Sequence, residues 1–305
     1  MILCLSIDLD PLRCYRQIYG LPGQDGADPV VERALPRFGE MLRSLGAAGT
    51  AFLVGDTLAG SAAGPAREAA AAAAAAGIEI ANHTYSHPYR LSDMTEAEIL
   101  GEIHRGQDAL RAAIGHHEPL GFRAPGYNLG RRVLPAAIAA GARYDSSVLP
   151  SLSYRGVKAA ALAALWLRGR RSRSRLGDVR EALAPGAPYR PDPDRPVRRG
   201  TAPIVELPIG TLFDLPLVGG LLALLGPRAA AGAALLLRRR AFVHLELHGV
   251  DFLDIETDGL DPALGRAQPD LRIRWQKKAE AFAAFIGSLM RTHRVLRLCE
   301  AARLA

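Results

Sequence analysis

Residues 1–10 read MILCLSIDLD. A short apolar run closed by acids has the pattern of a strand buried on both faces, as a parallel sheet requires. The basic start, long apolar stretch and small-residue cleavage site of a secretory signal are missing, so the segment is read as the first strand of the fold. Side chains alternate along a strand, which sends Asp8 and Asp10 to the same side, where two carboxylates can face one site. Alone, Asp-x-Asp is also the pattern of a solvated loop pair.

A strand-helix rhythm continues outward from this stretch. A helix is expected over Pro29–Leu45 and a second strand over Thr50–Val54, after Gly46 and Gly49. The Ala-rich run Pro65–Ala76 favours a helix that ends at Gly77, and Ile78–Ala81 is short and apolar like a core strand. Thr95 and Glu98 have capping-box spacing at the head of a helix Thr95–Ile114. A strand Gly121–Phe122, a helix Arg131–Ala140 and a strand near Tyr144 follow. Repeated units of this kind make the fold class α/β, with a parallel sheet or a barrel. From 150 to 240 the rhythm fails. An apolar-then-basic stretch, a Pro-rich linker (Pro185–Pro203) and a Leu/Ala/Gly-rich run are read as an insertion or cap within a single domain, 1–305. A strand Ala241–Leu247, a helix Trp275–Thr292 and a strand Val295–Leu298 then close the fold.

Composition narrows the class. The 305 residues are 49% hydrophobic, enough for a substantial core. Three cysteines, Cys4, Cys14 and Cys299, are odd in number and far apart, so neither a disulfide framework nor a zinc knuckle is expected, and a reducing cytoplasm is the simplest home. Cys14, four residues beyond Asp10, could be a soft metal ligand, although a lone cysteine is more often inert. Net charge is +7, and Arg155, Lys158, Arg168, Arg170, Arg171, Arg173 and Arg175 equal that surplus with no acid among them. No zinc-finger spacing, RNA-binding sheet motif or aromatic-studded basic stripe accompanies the charge, so nucleic acid is not an expected partner.

The chemistry gathers at strand ends, where parallel α/β folds place their sites. Asn82-His83-Thr84-Tyr85-Ser86-His87-Pro88 ends the third strand. On a helical turn its two histidines would share a face, a spacing suited to Zn²⁺, and a carboxylate would complete a ligand set with open positions. The alternative is two surface histidines in a loop. Phe122-Arg123-Ala124-Pro125-Gly126-Tyr127 stands at the next strand end and Leu247-His248-Gly249 at a late one.

In this order, from residue 8 to residue 248, these pieces resemble the polysaccharide deacetylases, the NodB-homology family of carbohydrate esterases. The resemblance implies a distorted, incomplete (β/α) barrel with one divalent metal ion, Zn²⁺ above others, at its mouth. Asp8 then matches the general base and Asp10 the metal carboxylate, with His83 and His87 as the other ligands. The commonest family pattern sets the two acids side by side; here Leu9 separates them, as in the subgroup reading Asp-x-Glu or Asp-x-Asp. Arg123 matches the arginine that orients the base, and Gly126 or Tyr127 the backbone N–H that faces the oxyanion. His248 matches the general acid. Asp145, in Tyr144-Asp145-Ser146-Ser147, falls where a further family acid lies, with a capping or turn role as its alternative. The implied reaction is hydrolysis of the amide of an N-acylated amino sugar, acetyl or formyl.

The 150–240 stretch bears on the substrate. Val157–Leu167 is Ala/Leu/Trp-rich and runs into the Arg168–Arg175 cluster; Leu215–Leu225 is nearly all apolar, and a second apolar run ends at Arg238-Arg239-Arg240. Neither run reaches the roughly 20 residues that span a bilayer. An apolar face beside a basic cluster fits a helix lying in an anionic interface, which would make the substrate lipid-linked and the protein peripheral at the inner face of the membrane. The alternative is a buried cap with a solvated arginine edge. Two other functions stand beside the main one: a soluble small-molecule amidohydrolase, and a catalytically silent carbohydrate- or lipid-binding module.

Overall fold

The structure, a computed structural model, describes residues 1–23, 28–115 and 121–305. Its strands are β1 (Ile2–Leu9), β2 (Thr50–Leu53), β3 (Glu79–Asn82), β4 (Gly121–Phe122), β5 (Tyr144–Asp145), β6 (Val205–Glu206), β7 (Thr211–Leu212), β8 (Leu215–Pro216), β9 (Phe242–His248) and β10 (Arg294–Leu296). Its helices are α1 (Leu12–Ile18), α2 (Leu35–Leu45), α3 (Gly64–Ala75), α4 (Glu96–Ile114), α5 (Val133–Ala139), α6 (Leu152–Leu167), α7 (Gly219–Leu237), α8 (Ile255–Asp258), α9 (Pro262–Ala267), α10 (Trp275–Met290) and α11 (Leu298–Ala302).

The first strand is the hub. β1 lies parallel to β9 from Ile2 to Asp8, to β2 from Ser6 to Leu9 and to β10 from Ile2 to Cys4. From β2 the parallel sheet runs through β3, β4 and β5 to β6. Between β6 and β9 the wall is irregular chain, held where Gly210 N–H donates to His244 O at 2.9 Å and Glu246 N–H to Leu217 O at 3.1 Å. The sheet therefore curls into a distorted, incomplete (β/α) barrel. Alternation along β1 sorts its residues: Leu3, Leu5, Ile7 and Leu9 join the large core under the helices, each contributing roughly 1.5–3 kcal/mol by burial. Ser6 and Asp8 take the other side, Ser6 reaching His244 at 2.9 Å inside the barrel.

Local expectations meet three differences. The helix over Pro29–Leu45 begins as a wide π-turn, Val30–Ala34, before α2; Pro36, which has no N–H to close an i→i−4 bond, sits at the joint. The expected insertion divides. Residues 150–203 lie outside the sheet apart from an antiparallel bridge of Tyr189 to Glu206, but β6 returns to it beside β5 and α7 packs on α10 as a barrel helix. Finally, the two apolar runs join in α7, the one helix among the described residues long and apolar enough, by length and composition alone, to cross a membrane. It is broken at Gly226 (φ 75°, ψ 172°) ahead of Pro227, and it buries Leu222, Ala230 and Leu237. Thr95 does form the expected capping box, its Oγ1 accepting from Glu98 N–H and its N–H donating to Glu98 at 2.8 Å.

Candidate active site

β1 carries Asp8 to the mouth of the barrel and leaves Asp10 just past its end, while β3 delivers His83 and His87. The histidines are not on a helical turn. Thr84 (φ 66°) and His87 (φ 56°) take left-handed backbone, and the loop doubles back so that the two rings meet. Gly106 of α4 makes room for this loop: a Cβ there would stand 2.4 Å from Asn82 Oδ1 and 3.0 Å from the Thr84 backbone.

Each imidazole has its Nδ1 engaged behind. His83 Nδ1 donates to Arg123 O at 2.8 Å, and His87 Nδ1 lies 3.4 Å from Cys14 Sγ. Both Nε2 atoms then face Asp10 Oδ1, at 3.1 and 3.2 Å, and all three residues are buried. Asp10 Oδ1 has no aligned hydrogen-bond donor, so two ring nitrogens and one carboxylate oxygen, all within 4.8 Å of one another, converge on a shared point. That donor set fits a divalent cation such as Zn²⁺ with positions to spare, and the Nδ1 partners fix ring orientation as metal histidines require. Charges agree. Burial would raise the Asp10 pKa, but His87 and His83 hold it well below the usual range; burial would lower His87, yet Asp10 and Cys14 lift it to about 9. Metal histidines bind in the neutral form, so a cation at this point would displace protons from the two imidazoles. Cys14 stands behind His87 rather than in the ligand set.

Asp8 belongs to a second group. Its Oδ1 accepts from Arg123 Nη1 at 2.5 Å, and its carboxylate, Glu246 and His248 offer atoms within 4.8 Å of one another. Arg123 is fully buried, stacks 4.1 Å from the Phe52 ring, and also donates to Glu246 at 3.2 Å, Ser146 O at 2.7 Å and Ser146 Oγ at 2.8 Å. The two carboxylates of this second triad are already bridged by a guanidinium, so of the two groups it is the Asp10 one that fits a cation. Asp8 lies opposite His248 in the β1–β9 ladder, which fixes their proximity through backbone register.

Glu246 is the residue that sequence reading missed. It is fully buried and accepts from Tyr127 Oη at 2.8 Å, while the same hydroxyl lies 3.4 Å from His248 Nε2. The signal lay in the alternation of His244-Leu245-Glu246-Leu247-His248, which puts the glutamate on the face of His248. Burial would lower the His248 pKa, but Glu246 and Asp8 raise it to about 9; burial holds Glu246 up against the pull of Arg123. His244, deeper on the same face, bonds Ser6 and Pro208 O, and burial beside Arg123 keeps its pKa down to about 3.

The Pro125–Tyr127 turn has left-handed backbone at Gly126 (φ 69°) and Tyr127 (φ 62°) in succession. Cap residues reach its carbonyls: Lys158 Nζ donates to Gly126 O and Arg155 Nη2 to Tyr127 O, both at 3.4 Å. Asp8, Asp10, His83, His87, Tyr127 and His248 line one cleft of about 270 Å³, with Gly126 at its wall. Asp145 does not line it. Fully buried, it accepts from Ser147 Oγ at 2.7 Å and Ser147 N–H at 3.3 Å, a turn role.

The family model described as Polysaccharide deacetylase matches residues 24–144. No curated protein matches the chain. Among solved structures, the chain is similar to a polysaccharide deacetylase-like protein from Mycobacterium smegmatis, with 18% identity and a TM-score of 0.60 over 99% of this chain and 89% of that one. A family 4 carbohydrate esterase from Streptomyces lividans, in complex with acetate, is 23% identical over 48% of this chain and 61% of its own, with a TM-score of 0.35. A CE4 family pseudoenzyme from Bacillus anthracis is 13% identical over 99% of this chain and 65% of its own, with a TM-score of 0.49. Residues 24–144 thus match the polysaccharide deacetylase model, and the barrel as a whole is similar in fold to the Mycobacterium smegmatis structure.

Proposed function

We propose that this protein hydrolyses the amide of an N-acylated amino sugar with one divalent cation, Zn²⁺ in our reading, held by Asp10, His83 and His87. The observation that carries the reading is the pairing, in one cleft, of that converging ligand set with Asp8, Arg123 and His248. A bound ion supplies Lewis acidity toward the acyl oxygen and the attacking water. Arg123 aims the Asp8 carboxylate, which accepts the water's proton. The left-handed turn at Gly126 and Tyr127, whose own carbonyls accept from Lys158 and Arg155, offers backbone N–H to the developing oxyanion. His248, protonated at neutral pH, gives its proton to the departing amine. An amide needs that acid, which typically contributes about 10²- to 10⁴-fold. This full complement speaks against a silent binding module.

The finer substrate reading is a lipid-linked sugar met at an anionic membrane surface, on its inner, cytoplasmic face. Its support is α6, an apolar helix that buries only Arg155 and exposes Val157 (70%), Trp166 (73%) and Leu167 (77%). Exposed Arg168, Arg170, Arg171, Arg173 and Arg175 follow it. Apolar side chains left in water beside a cation cluster are the makings of an interfacial helix rather than of a buried cap. The test is metal analysis of purified protein, followed by mass spectrometry of N-acetyl and N-formyl sugars, free and lipid-linked. About one divalent ion per chain with release of acetate or formate is expected. Metal-loaded protein that deacylates none of them overturns the assignment.

A further inference from the structure

The catalytic cleft does not stand alone. A cavity of about 450 Å³ opens off it between α1, α6 and α9, and the two share Ile18, Tyr19, Lys158 and Ser174. Its walls are apolar, with Leu162, Ala164 and Leu165 on one side and Ala263 and Ala267 opposite. Among the described residues no acidic side chain lines it; its charged lining is Lys158 at the shared mouth and Arg168, Arg170 and Arg266 further along.

Lys158 is the unusual member. It is half-buried, its Nζ touches Gly126 O at 3.4 Å and faces the Tyr154 ring at 5.6 Å, and among the described residues no carboxylate lies within ion-pair distance of it. Glu181, the acid whose charge reaches it, is taken by Arg155 at 2.5 Å. Burial and Arg155 lower the Lys158 pKa to about 8, so the ammonium gains from any anion that docks beside it. A separate basic pocket beside His87 carries Arg90, Arg173 and Arg175, but Arg90 and Arg175 are both paired to Asp93, and its lining is mainly polar.

We propose that the apolar cavity holds the hydrocarbon chain of the substrate and that Lys158, at its junction with the catalytic cleft, takes the phosphate that joins chain to sugar. The order of the parts matches an amphiphile: reacting amide under Asp8 and His248, anion at Lys158 with the Ser174 hydroxyl nearby, chain along α6. This rests on the deacylase reading but concerns a different part of the surface.

Two measurements test it separately from that reading. By calorimetry, wild-type protein should bind geranyl phosphate, and Ala164→Trp, which fills the cavity, or Ala267→Phe from the opposite wall, should weaken binding tenfold or more. Lys158→Met should weaken it by about tenfold or more, the usual loss for a hydrogen bond to a charged group. Inorganic phosphate binding as tightly as geranyl phosphate, or unchanged affinity in both cavity variants, overturns the chain site; unchanged affinity in Lys158→Met overturns the phosphate site. In turnover, each cavity variant should lower kcat/KM for a prenyl-phosphate-linked N-acetylamino sugar more than for the same sugar phosphate with a methyl group in place of the chain. Equal effects on both overturn the proposal. Deacylation of soluble sugars without geranyl phosphate binding would leave the activity standing and sink the cavity; binding lost in the variants, with no deacylation of any sugar, would do the reverse.

Discussion

Asp8 and Asp10 stand two residues apart and face different neighbours, one a guanidinium and the other two imidazoles. Their substitutions should therefore separate. Asp10→Asn should lose most of the bound metal, and Asp8→Asn should keep it while turnover falls by 10²-fold or more; metal content and kcat measured on the same preparations check this, and the reverse pattern would exchange the two roles. A pH profile tests His248. The acid must be protonated to act, and its pKa is raised to about 9, so kcat/KM should hold through neutral pH and fall as pH rises through about 9. Glu246→Gln removes one of the charges that raise it and should move this alkaline limb to lower pH; a limb that stays in place would remove Glu246 from the tuning of the acid. At this scale the sequence was most legible where motifs name residue types. Asp8, Asp10, His83, His87, Arg123, Tyr127 and His248 were all named from it, and all line or border one cleft. Glu246 and the Cys14–His87 contact were not, since a motif gives spacing along the chain and not what stands behind it.

Elements were legible in proportion to their length and periodicity. α4, with its capping box and glycine end, was read within a residue, whereas β6 is two residues in a proline-bounded stretch, too short for any period to declare itself. α7 was hidden differently: its apolar residues go nearly all round, and Gly226 with Pro227 interrupts what is one packed element. The histidine loop misled by imitation, because i and i+4 neighbours can be joined by two left-handed residues as well as by a helical turn. α6 carries the element-scale prediction. Replacing Arg168, Arg170, Arg171, Arg173 and Arg175 by Ser should reduce co-sedimentation with phosphatidylserine vesicles, at about 1 kcal/mol per cation near the surface, with little effect on folding. Wild-type binding should weaken as salt rises, since screening acts over roughly 8 Å at physiological strength. Wild-type protein that ignores such vesicles at low salt would return α6 to the status of a cap.

For the molecule as a whole, charge, fold and site divide along one line. The barrel carries the buried Asp10, His83 and His87 and the 150–175 segment carries the cationic surplus, so the molecule presents a polar mouth with a positive apolar flank. The α/β class was readable because the alternation of strand and helix is a property of the whole chain. That its sheet curls into an incomplete barrel came from the resemblance instead, because the wall at Gly210 and Leu217 is irregular backbone that no periodicity marks.

The central place of β1 has a consequence in time. Its residues pair with β9 and β10, which follow it by more than two hundred positions, while β2 and β3 lie near it in sequence. As the chain leaves the ribosome, the loop holding His83 and His87 can form early beside β1. The partner strand that brings His248 against Asp8 arrives only with the last quarter of the chain. Contacts so distant must await the closing of a very long loop, the slow class of folding event. Topology thus allows a nascent stage with the two histidines beside β1 and one edge of that first strand bare, when a chaperone would have most to offer it.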